Sequence, residues 1–522
     1  MSGPTDTHHL FAPLRLRPVM AVTVLAVLAL SILRISNAVS FSIPIQVMTS
    51  GDEVASVFAI WKVLQGQDVY TSRFEPPFAL AVYNWLFYVS TAAWSGVWQN
   101  LTGLGDAWLP VLGRFWTLAG AMTGAAAAFV LFRSMLRRDE EPGNFVPACL
   151  AMLLAFGPLY GFWVVTVRPD VWAVSLEIIA VCVFHRLLPS GPTRAAAAMA
   201  PVAYLAWSFK HTAAFGLGGV GLFLLLRRDF KALAVLTAIS TGLWAATFLI
   251  QDDIYFETLF TIGHPLEYDT SRFLDNLVNV ALKTPYLWIP VAAAFGISIL
   301  RGRFRHLLQA ESAQLAACGL FVSLAATLVM TLQTGSAEHY YFTPAFFLSL
   351  LFVALFSRIS ATDCAASRVF RLATVSGFAL TSLAVAAVLS GQAGMVAPQG
   401  DQRLIDRRLS CIEVLPSPMY VHDRMLSLPW NSPGNTPFVR NFYYERDREA
   451  GREYPGGGIG GMIEAGMFEA IAYPAPNPPA KIDGAGLGTY TKLPVICGEM
   501  TIFLKSGRDD MDLVAEALRA TE

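Results

Sequence analysis

The sequence predicts an all-α polytopic membrane protein of about eleven transmembrane helices, followed by a C-terminal α/β outer domain. Of the 522 residues, 55% are hydrophobic and only 14% are charged, which is too apolar for an ordinary soluble globule. Apolar windows long enough to cross a bilayer, about 17–25 residues each, recur as far as residue 390. The formal net charge is −1, which gives no indication of nucleic acid as a partner.

The predicted spans are distributed along the whole of this apolar region. The first follows Arg15 and Arg17, and because no small-residue cleavage pattern comes after it, we interpret it as a retained signal-anchor. Several windows are short or interrupted, so the number eleven is approximate. The windows cover residues 18–36, 108–132, 145–166, 170–188, 195–209, 212–226, 232–250, 286–300, 311–332, 341–357 and 370–390.

The distribution of Lys and Arg between the short connections predicts the orientation of these spans. Every second connection is basic, and the N-terminus falls on the same side. We therefore expect a cytoplasmic N-terminus and a periplasmic C-terminal domain in an inner (plasma) membrane. The basic connections contain Arg133, Arg137 and Arg138, then Arg186 and Arg194, then Arg227, Arg228 and Lys231, then Arg301, Arg303 and Arg305, and finally Arg358, Arg368 and Arg371.

The apolar, aromatic segment between Pro77 and Trp94 would invert this alternation if it crossed the membrane. We therefore predict an interfacial helix on the outer leaflet, with the pair Pro76 and Pro77 at its start. This helix lies within an external segment, residues 37–107, of a membrane domain formed by residues 1–390. A soluble periplasmic domain, residues 391–522, is expected to follow.

The last part of the chain is rich in Pro, Gly and charged residues and has no long apolar run. Short β-like runs at residues 419–421 and 501–504, with an amphipathic helix at 509–520, predict a domain of mixed α/β character. Its two cysteines, Cys411 and Cys497, form an even pair in an oxidising compartment. They therefore predict one disulfide bond.

Three carboxylates in the external segment are candidates for catalysis. Asp52 and Glu53 follow the first span directly, and Glu75 precedes the proline pair. Carboxylates at the mouth of a span are costly unless they are solvated or paired, so their presence there indicates a functional site. The alternative is a solvated acidic loop without a chemical role.

Further ionisable or polar groups collect at the predicted outer ends of the spans. Taken singly, each is also explained by snorkelling or by an ion pair that fixes helix packing. Taken together, they favour a site for an anionic, lipid-borne substrate, because Arg and Lys suit phosphate while carboxylates suit a general base or a divalent ion. These residues are Arg114, Arg168, Asp170, Lys210, Glu338, His339 and Tyr340.

The order of these features forms a recognisable set. It comprises Asp52 and Glu53 after the first span, Gly66 and Tyr70, Glu75 with Pro76 and Pro77, Arg114, the turn Arg168–Pro169–Asp170, Lys210, and the run from His339 to Pro344. The set resembles the polytopic GT-C glycosyltransferases, in the branch of protein O-mannosyltransferases, lipid A aminoarabinose transferases and rhizobial Rgt-type galacturonosyltransferases. The resemblance covers about residues 15–390 and implies a polyprenyl-phosphate sugar as donor.

Two departures limit what the resemblance implies about the acceptor. The aminoarabinose transferases have a Lys between the acid and the proline that correspond to Glu75 and Pro76, and this chain has none. The protein O-mannosyltransferases have a His before the proline pair, where this chain has Glu75. The acceptor can therefore be a glycan, a lipid or a protein.

The resemblance and the residue types together give a mechanistic hypothesis. Asp52 would deprotonate the acceptor hydroxyl as it attacks the anomeric carbon opposite the lipid phosphate, with inversion. Glu53 would orient Asp52 or bind a divalent metal ion, and Glu75 would hold or approach such an ion. The donor phosphate would be bound by Lys210, Arg168 and Arg114. Glu75, Asp170, His339 and Tyr340 would line the substrate pocket.

Two other classes of protein share some of these features. A multi-span transporter of an anionic or lipid-linked substrate also carries intramembrane charges and broken helices. Against it, the hydropathy shows no two-half repeat, and the acids concentrate outside the bilayer midplane. A structural or polymerase-associated membrane protein is the third alternative, and it predicts that the acids tolerate substitution.

Overall fold

The structure, a computed structural model, describes most of the chain. The described residues are 16–50, 52–136, 144–261, 268–302, 308–333, 336–362, 364–392, 398–431, 442–449, 451–475 and 478–521. Arg15, Arg137, Arg138, Arg303 and Arg305, which contribute to the predicted orientation, lie outside the described residues.

Every predicted span coincides with a helix in the described part of the chain. The helices up to residue 392 are α1 Leu16–Ala38, α2 Glu53–Leu64, α3 Trp85–Thr102, α4 Leu109–Met135, α5 Phe145–Phe156, α6 Asp170–Leu187, α7 Pro192–Phe209, α8 Phe215–Leu226, α9 Phe230–Ile250, α10 Asp253–Phe256, α11 Thr270–Lys283, α12 Pro285–Leu300, α13 Glu311–Thr331, α14 Phe342–Thr362 and α15 Cys364–Gln392. The prediction of an all-α polytopic membrane protein is therefore confirmed.

The number of spans is smaller than the approximate eleven when length and composition are the only criteria. Among the described residues, seven helices are long and apolar enough to cross a membrane, and an eighth candidate is the pair α11 and α12, bent by 85°. Helices α5 and α8 are apolar but shorter than a bilayer requires, and α7 is not among the helices that are apolar enough to span. Hydropathy windows count such helices as spans because windows ignore where a helix begins and ends.

Helix α6 packs against both α4 and α7, and this packing positions the site. A Cβ at Gly124 of α4 would lie 2.3 Å from Ser175 Oγ of α6, so only glycine allows this approach. Ser175 Oγ donates a hydrogen bond to the carbonyl of Gly120 at 2.8 Å. Small residues let helix backbones approach closely within a membrane. As a result, the start of α4, the start of α6 and the end of α7 lie at the same end of the bundle.

The first connection, residues 39–108, contains two helices rather than the single interfacial helix that the sequence predicts. Helix α2 was not expected, and α3 begins at Trp85 instead of at the proline pair. Asn84 caps α3, because its Oδ1 accepts from the Trp85 N–H at 2.9 Å, and Gly103 ends it in a left-handed conformation. The start of the helix is thus set by the Asn cap and not by Pro76 and Pro77.

The C-terminal α/β region, formed by the described residues from 398 to 521, is built on a small sheet. Its strands are β1 Met419–Val421, β2 Ala470–Tyr473, β3 Lys481–Ile482, β4 Ala485–Gly486, β5 Tyr490–Cys497 and β6 Met500–Lys505, and its helices are α16 Pro398–Glu413, α17 Phe442–Glu449, α18 Gly458–Glu464 and α19 Met511–Thr521. Four strands form one sheet in the order β1-β2-β6-β5, where β1 and β2 are parallel and the other neighbours antiparallel.

The sequence predicted β1, β6 and α19 but missed β2 and β5. Strand β5 contains Pro494 and a register shift between Lys492 and Ile496, so it lacks the regular alternation of a strand. A proline is tolerated there because β5 lies at the edge of the sheet. Gly498 and Glu499 connect β5 to β6 with positive φ angles of 57° and 62°, as a two-residue hairpin turn requires.

The C-terminal α/β region packs on the first connection and holds its backbone. Phe78 is buried although its φ of 56° lies in the left-handed region, which costs a non-glycine residue about 1–3 kcal/mol. Its ring packs against Tyr444 and Tyr454 at centroid distances of 5.7 and 5.8 Å. Arg73 adds an ion pair with Asp447 at 3.2 Å. Packing between the two parts of the chain therefore offsets the local strain.

Cys411 of α16 and Cys497 of β5 form a disulfide bond, with their Cα atoms 6.0 Å apart. The bond closes a loop across 86 residues, and removal of a native disulfide typically costs about 2–5 kcal/mol. We expect the double variant Cys411→Ser, Cys497→Ser to lower the thermal unfolding temperature of purified protein under oxidising conditions. In excess dithiothreitol the wild type and the variant should unfold together. Equal unfolding temperatures without reductant would contradict a stabilising bond.

Candidate active site

Glu53, in the first turn of α2, is fully buried against Arg114 of α4. The contact is bidentate, because Arg114 Nε donates to Glu53 Oε1 and Nη2 donates to Oε2, both at 2.9 Å. The backbone N–H groups of Thr49 and Val167 also donate to this carboxylate, at 2.8 and 3.1 Å. Four hydrogen bonds satisfy both oxygens of the Glu53 carboxylate.

The remaining donors of Arg114 are used by the backbone of the first connection. Its Nη1 donates to the carbonyls of Ala38 and Ile45, and its Nη2 donates to the carbonyl of Val47 at 2.5 Å. This geometry corrects two expectations: Arg114 is not placed to bind a donor phosphate, and Glu53 is not placed for catalysis or metal binding. The pair instead fastens the start of α2, and with it Asp52, to the helix bundle.

Asp52 begins a chain of alternating charges that runs across the ends of α2, α6 and α7. Arg168 Nη1 donates to Asp52 Oδ2 at 3.0 Å, and Arg168 Nε donates to Asp170 Oδ2 at 3.2 Å. Lys210 Nζ donates to the other oxygen of Asp170 at 2.5 Å. Four of the residues that the sequence singled out therefore form one network, which we call the Asp52–Lys210 network.

The two carboxylates of this network differ in their exposure to solvent. The Asp170 side chain is only 2% exposed and bridges two cations, so it holds them in position. The Asp52 side chain is 20% exposed, and its Oδ1 accepts no hydrogen bond from the described residues. A general base must come within hydrogen-bond reach of the proton that it removes. Of the two carboxylates, Asp52 is the one with solvent access.

Aromatic side chains surround the cations of the network. The guanidinium of Arg168 lies 4.6 Å from the ring centroid of Trp163, and Lys210 Nζ lies 4.7 Å from that of Tyr340. His339 Nε2 is 3.6 Å from Asp170 Oδ1, and its ring lies 4.7 Å from that of Trp163. Cation–π contacts of this kind hold Arg and Lys in a fixed position with little loss of charge. His339 and Tyr340 thus lie beside Asp170 and Lys210 of the network.

Glu177 is a buried acid of this region that the sequence analysis missed. It lies about two turns after Asp170 on α6, and both residues line a cavity of about 30 Å³, enough for one or two water molecules. Its oxygens accept from the Gly216 N–H at 2.8 Å and from Thr343 Oγ1 at 2.6 Å. The available signal was a single acid in the middle of a predicted span, which indicates function by default.

The end of α2 is held by Lys62. Its Nζ donates to the carbonyl of Val69 and to Thr71 Oγ1, at 3.3 and 3.1 Å. Burial lowers the pKa of Lys62 to about 8, although the negative charge of Asp68 acts to raise it. At neutral pH the ammonium therefore remains mostly protonated and keeps both hydrogen bonds. Both ends of the helix that follows Asp52 are consequently anchored.

Glu75 does not join the Asp52–Lys210 network. Its side chain is exposed, and no hydrogen bond or ion pair among the described residues connects it to the network. Within the described ranges, no group of three or more His, Cys, Asp or Glu residues is placed to hold a metal ion. Glu53, which is saturated by hydrogen bonds, and Glu75, which is exposed, therefore do not fit the expected divalent-ion site.

Comparisons with solved structures identify the fold. ArnT from Cupriavidus metallidurans, bound to undecaprenyl phosphate, is similar over 92% of this chain and 97% of its own, with a TM-score of 0.53 and 11% sequence identity. Its apo state gives a TM-score of 0.53 at 12% identity. The archaeal oligosaccharyltransferase AglB from Archaeoglobus fulgidus, in complex with an inhibitory peptide and a dolichol-phosphate, is similar over 88% of this chain and 69% of its own. That match has a TM-score of 0.52 and 11% identity.

No protein-family model and no curated protein sequence matches the chain. At the identities of the structural matches, similarity establishes the fold. Both neighbours are GT-C glycosyltransferases, so this multi-pass membrane protein has the GT-C fold. The fold that the resemblance implied is thereby confirmed, whereas the branch within the superfamily stays a prediction.

Proposed function

We propose that this protein is a membrane glycosyltransferase that moves a sugar from a polyprenyl-phosphate donor to an acceptor hydroxyl. The observation that carries the proposal is the 3.0 Å contact between the half-buried carboxylate of Asp52 and Arg168, which continues through Asp170 to Lys210. A base and two phosphate-binding cations thus share one network. The undecaprenyl phosphate bound to ArnT and the dolichol-phosphate bound to AglB support the donor class.

The proposed reaction is a single displacement at the anomeric carbon. The acceptor oxygen forms a bond to that carbon while the bond from the carbon to the phosphate oxygen breaks. Asp52 takes the acceptor proton, and the electron pair of the broken bond leaves on the polyprenyl phosphate. Attack opposite the leaving group inverts the anomeric configuration. Phosphate is a good leaving group, so it needs stabilisation of charge more than protonation.

Lys210 and Arg168 are the cations that would stabilise this charge. Lys210 is a three-donor ammonium that uses one donor on Asp170, and its Nζ lies over the ring of Tyr340, 4.7 Å from the centroid. Arg168 presents a planar fork that suits phosphate oxygens, and Asp170 sets its orientation. Asp170 therefore acts as a positioning residue for both cations, and His339 and Tyr340 complete the pocket wall.

The location of the site is part of the same proposal. The distribution of Lys and Arg predicts that the first connection and the C-terminal α/β region face the periplasm, with the N-terminus in the cytoplasm. A polyprenyl-phosphate sugar would then enter from the outer leaflet of the inner membrane. The acceptor is a hydroxyl of a glycan, a lipid or a protein that reaches Asp52 from the periplasmic side.

Lys210→Ala is expected to weaken donor binding and to slow sugar transfer. A hydrogen bond to a charged group contributes about 1.5–3 kcal/mol, so the dissociation constant for undecaprenyl phosphate should rise by about 10- to 100-fold. Native mass spectrometry of the purified protein measures this binding. Lys231→Ala, at the exposed start of α9, is the control and should bind the lipid like the wild type. Unchanged binding by Lys210→Ala would remove Lys210 from the phosphate site.

A transfer assay tests the proposed function itself. Purified wild-type protein is incubated with radiolabelled undecaprenyl-phosphate hexoses and with membranes from the source cell as acceptor. Label that moves from the lipid to an acceptor, and requires Asp52, is the expected result. Absence of transfer in a protein that retains the lipid donor, with every Asp52 and Lys210 variant indistinguishable from the wild type, would contradict a glycosyltransferase.

A further inference from the structure

A second, larger cavity lies beside the Asp52–Lys210 network and shares a wall with it. Its volume is about 360 Å³, within the range of ~300–1,000 Å³ that is usual for small-molecule sites. Phe162 and Trp163 form its aromatic side. Trp163 is the shared wall, because the guanidinium of Arg168 lies 4.6 Å from its ring centroid. A ligand in this cavity would therefore lie next to the proposed reaction centre.

The opposite side of the cavity is the polar face of α11. Asp275, Asn276, Asn279 and Lys283 recur at helical spacing, and all four line the cavity. Lys283 donates to Glu338, which also lines the cavity and directly precedes His339. Carboxylates, amides and an ammonium therefore face the two aromatic rings across the same space.

The other face of α11 is apolar and exposed. Leu274, Val278 and Leu282 have 52%, 55% and 62% of their surface accessible. An amphipathic helix of this kind lies along a membrane interface with its apolar side towards the acyl chains. The 85° bend between α11 and α12 fits a helix that lies in the membrane plane beside a spanning helix. A helix that lies in this way would hold the cavity beneath it at the depth of lipid head groups.

We propose that this cavity, which we call the α11 pocket, binds a pyranose ring of a substrate. The carboxylate and amide groups offer acceptors and donors to sugar hydroxyls, and the aromatic side offers apolar faces to the C–H groups of the ring. The two acids of the lining, Asp275 and Glu338, match its two bases, Arg272 and Lys283. A lining without net charge suits a neutral polyol better than a phosphate.

Arg34 provides an unused donor beside the α11 pocket. Its Nη1 is buried and has no hydrogen-bond partner among the described residues. This nitrogen is close to the pocket wall, because a Cβ built on Gly161, the residue before the pocket-lining Phe162, would lie 3.7 Å from it. Buried donors in native proteins are almost always satisfied, so an orphaned one beside a polar cavity points to a ligand group. A sugar hydroxyl or ring oxygen is a suitable acceptor.

The sugar can come from the donor or from the acceptor. The assignment of the sugar to the donor or to the acceptor rests on the proposed function. Sugar binding in the pocket does not depend on that function. Two variants reduce the pocket without touching the Asp52–Lys210 network: Asn279→Trp fills it, and Asp275→Ala removes an acceptor. Val278→Ala, on the apolar face of the same helix, is the matched control. All three positions are exposed, so the variants should fold, and thermal unfolding of each purified full-length protein verifies this.

Two binding measurements distinguish the sources. Native mass spectrometry compares undecaprenyl phosphate that carries a hexose with bare undecaprenyl phosphate. Saturation-transfer NMR measures binding of methyl gluco-, galacto- and mannopyranosides. If the pocket holds the donor sugar, Asn279→Trp and Asp275→Ala should lose about tenfold in affinity for the hexose-bearing lipid only. If it holds an acceptor sugar, the methyl glycosides should lose affinity by a similar factor while both lipids bind normally.

Two outcomes would overturn the proposal. In one, neither pocket variant changes the binding of any sugar relative to Val278→Ala. In the other, bare undecaprenyl phosphate loses as much affinity as the hexose-bearing lipid, which would make the pocket a phosphate or lipid site. A protein that binds sugars in the pocket but transfers none would retain the pocket and lose the glycosyltransferase. Sugar transfer that requires Asp52 but is unchanged in both pocket variants would support the glycosyltransferase and contradict a role of the pocket in it.

Discussion

Asp52→Asn is expected to lower the rate of sugar transfer by about 10²–10⁴-fold, the usual contribution of a positioned general base. Asparagine has nearly the same size, and its carbonyl can still accept from Arg168 Nη1, but it cannot take up the acceptor proton. The Asp52 side chain is ten times as exposed as that of Asp170, at 20% against 2%, which is why we propose Asp52 and not Asp170 as the general base. Donor binding should remain close to the wild-type value.

The measurement is the initial rate of radiolabel transfer from undecaprenyl-phosphate hexose, together with native mass spectrometry of the bound lipid. Asp68→Asn, an exposed acid on the same connection, is the matched control and should transfer at the wild-type rate. The contrast with Lys210→Ala is informative, since that variant should lose affinity for the lipid donor as well as rate of sugar transfer. Near-normal transfer by well-folded Asp52→Asn would move the general base to Asp170 or Glu177.

Arg114→Ala is expected to destabilise the protein by about 3–5 kcal/mol, because it leaves the buried carboxylate of Glu53 without its charged partner. Both side chains are fully buried, and Arg114 also holds the carbonyls of Ala38, Ile45 and Val47. Loss of this cation therefore releases the segment that leads to Asp52. Replacing both residues at once, as in Glu53→Met with Arg114→Met, should recover part of the loss, since no unpaired charge remains.

Thermal unfolding of detergent-purified protein checks this prediction. Arg133→Ala, at the other end of α4, is the matched control and should change the unfolding temperature little. Glu53→Gln separates positioning from catalysis: it should lower stability, yet in folded protein it should transfer sugar faster than Asp52→Asn. Equal unfolding temperatures for Arg114→Ala and Arg133→Ala would refute the structural role. Inactivation by Glu53→Gln without loss of stability would return Glu53 to the catalytic residues.

Much of the site could be predicted from the sequence for one physical reason. Ionisable groups are costly within or beside apolar spans, so Asp52, Arg168, Asp170 and Lys210 stand out against an apolar background. The structure brings these four into one network, with His339 and Tyr340 beside it. Glu177 stands out in the same way, and the same rule, applied to the middle of a span, would have found it.

The locations of the spans and the mixed character of the C-terminal region were also available from the sequence, because both depend on local patterns. Runs of apolar residues mark membrane helices whatever they pack against. Where the pattern is irregular, prediction failed. The proline and the register shift in β5 concealed an edge strand, and the Pro76–Pro77 pair suggested a helix start that Asn84 provides instead.

Only the tertiary structure decided which of these charges are saturated inside the fold and which keep contact with solvent. Glu53 adjoins Asp52 in the chain, and Arg114 has the same residue type as Arg168, so sequence alone treats each pair as equivalent. Burial separates them, because Glu53 and Arg114, 61 residues apart in the chain, pair inside the fold and use their remaining hydrogen-bonding capacity on the surrounding backbone. Asp52, whose side chain is 20% exposed, instead pairs with Arg168 through one oxygen, and its other oxygen accepts no hydrogen bond from the described residues. A carboxylate's role depends on its partners and its access to solvent, and both are properties of the folded chain.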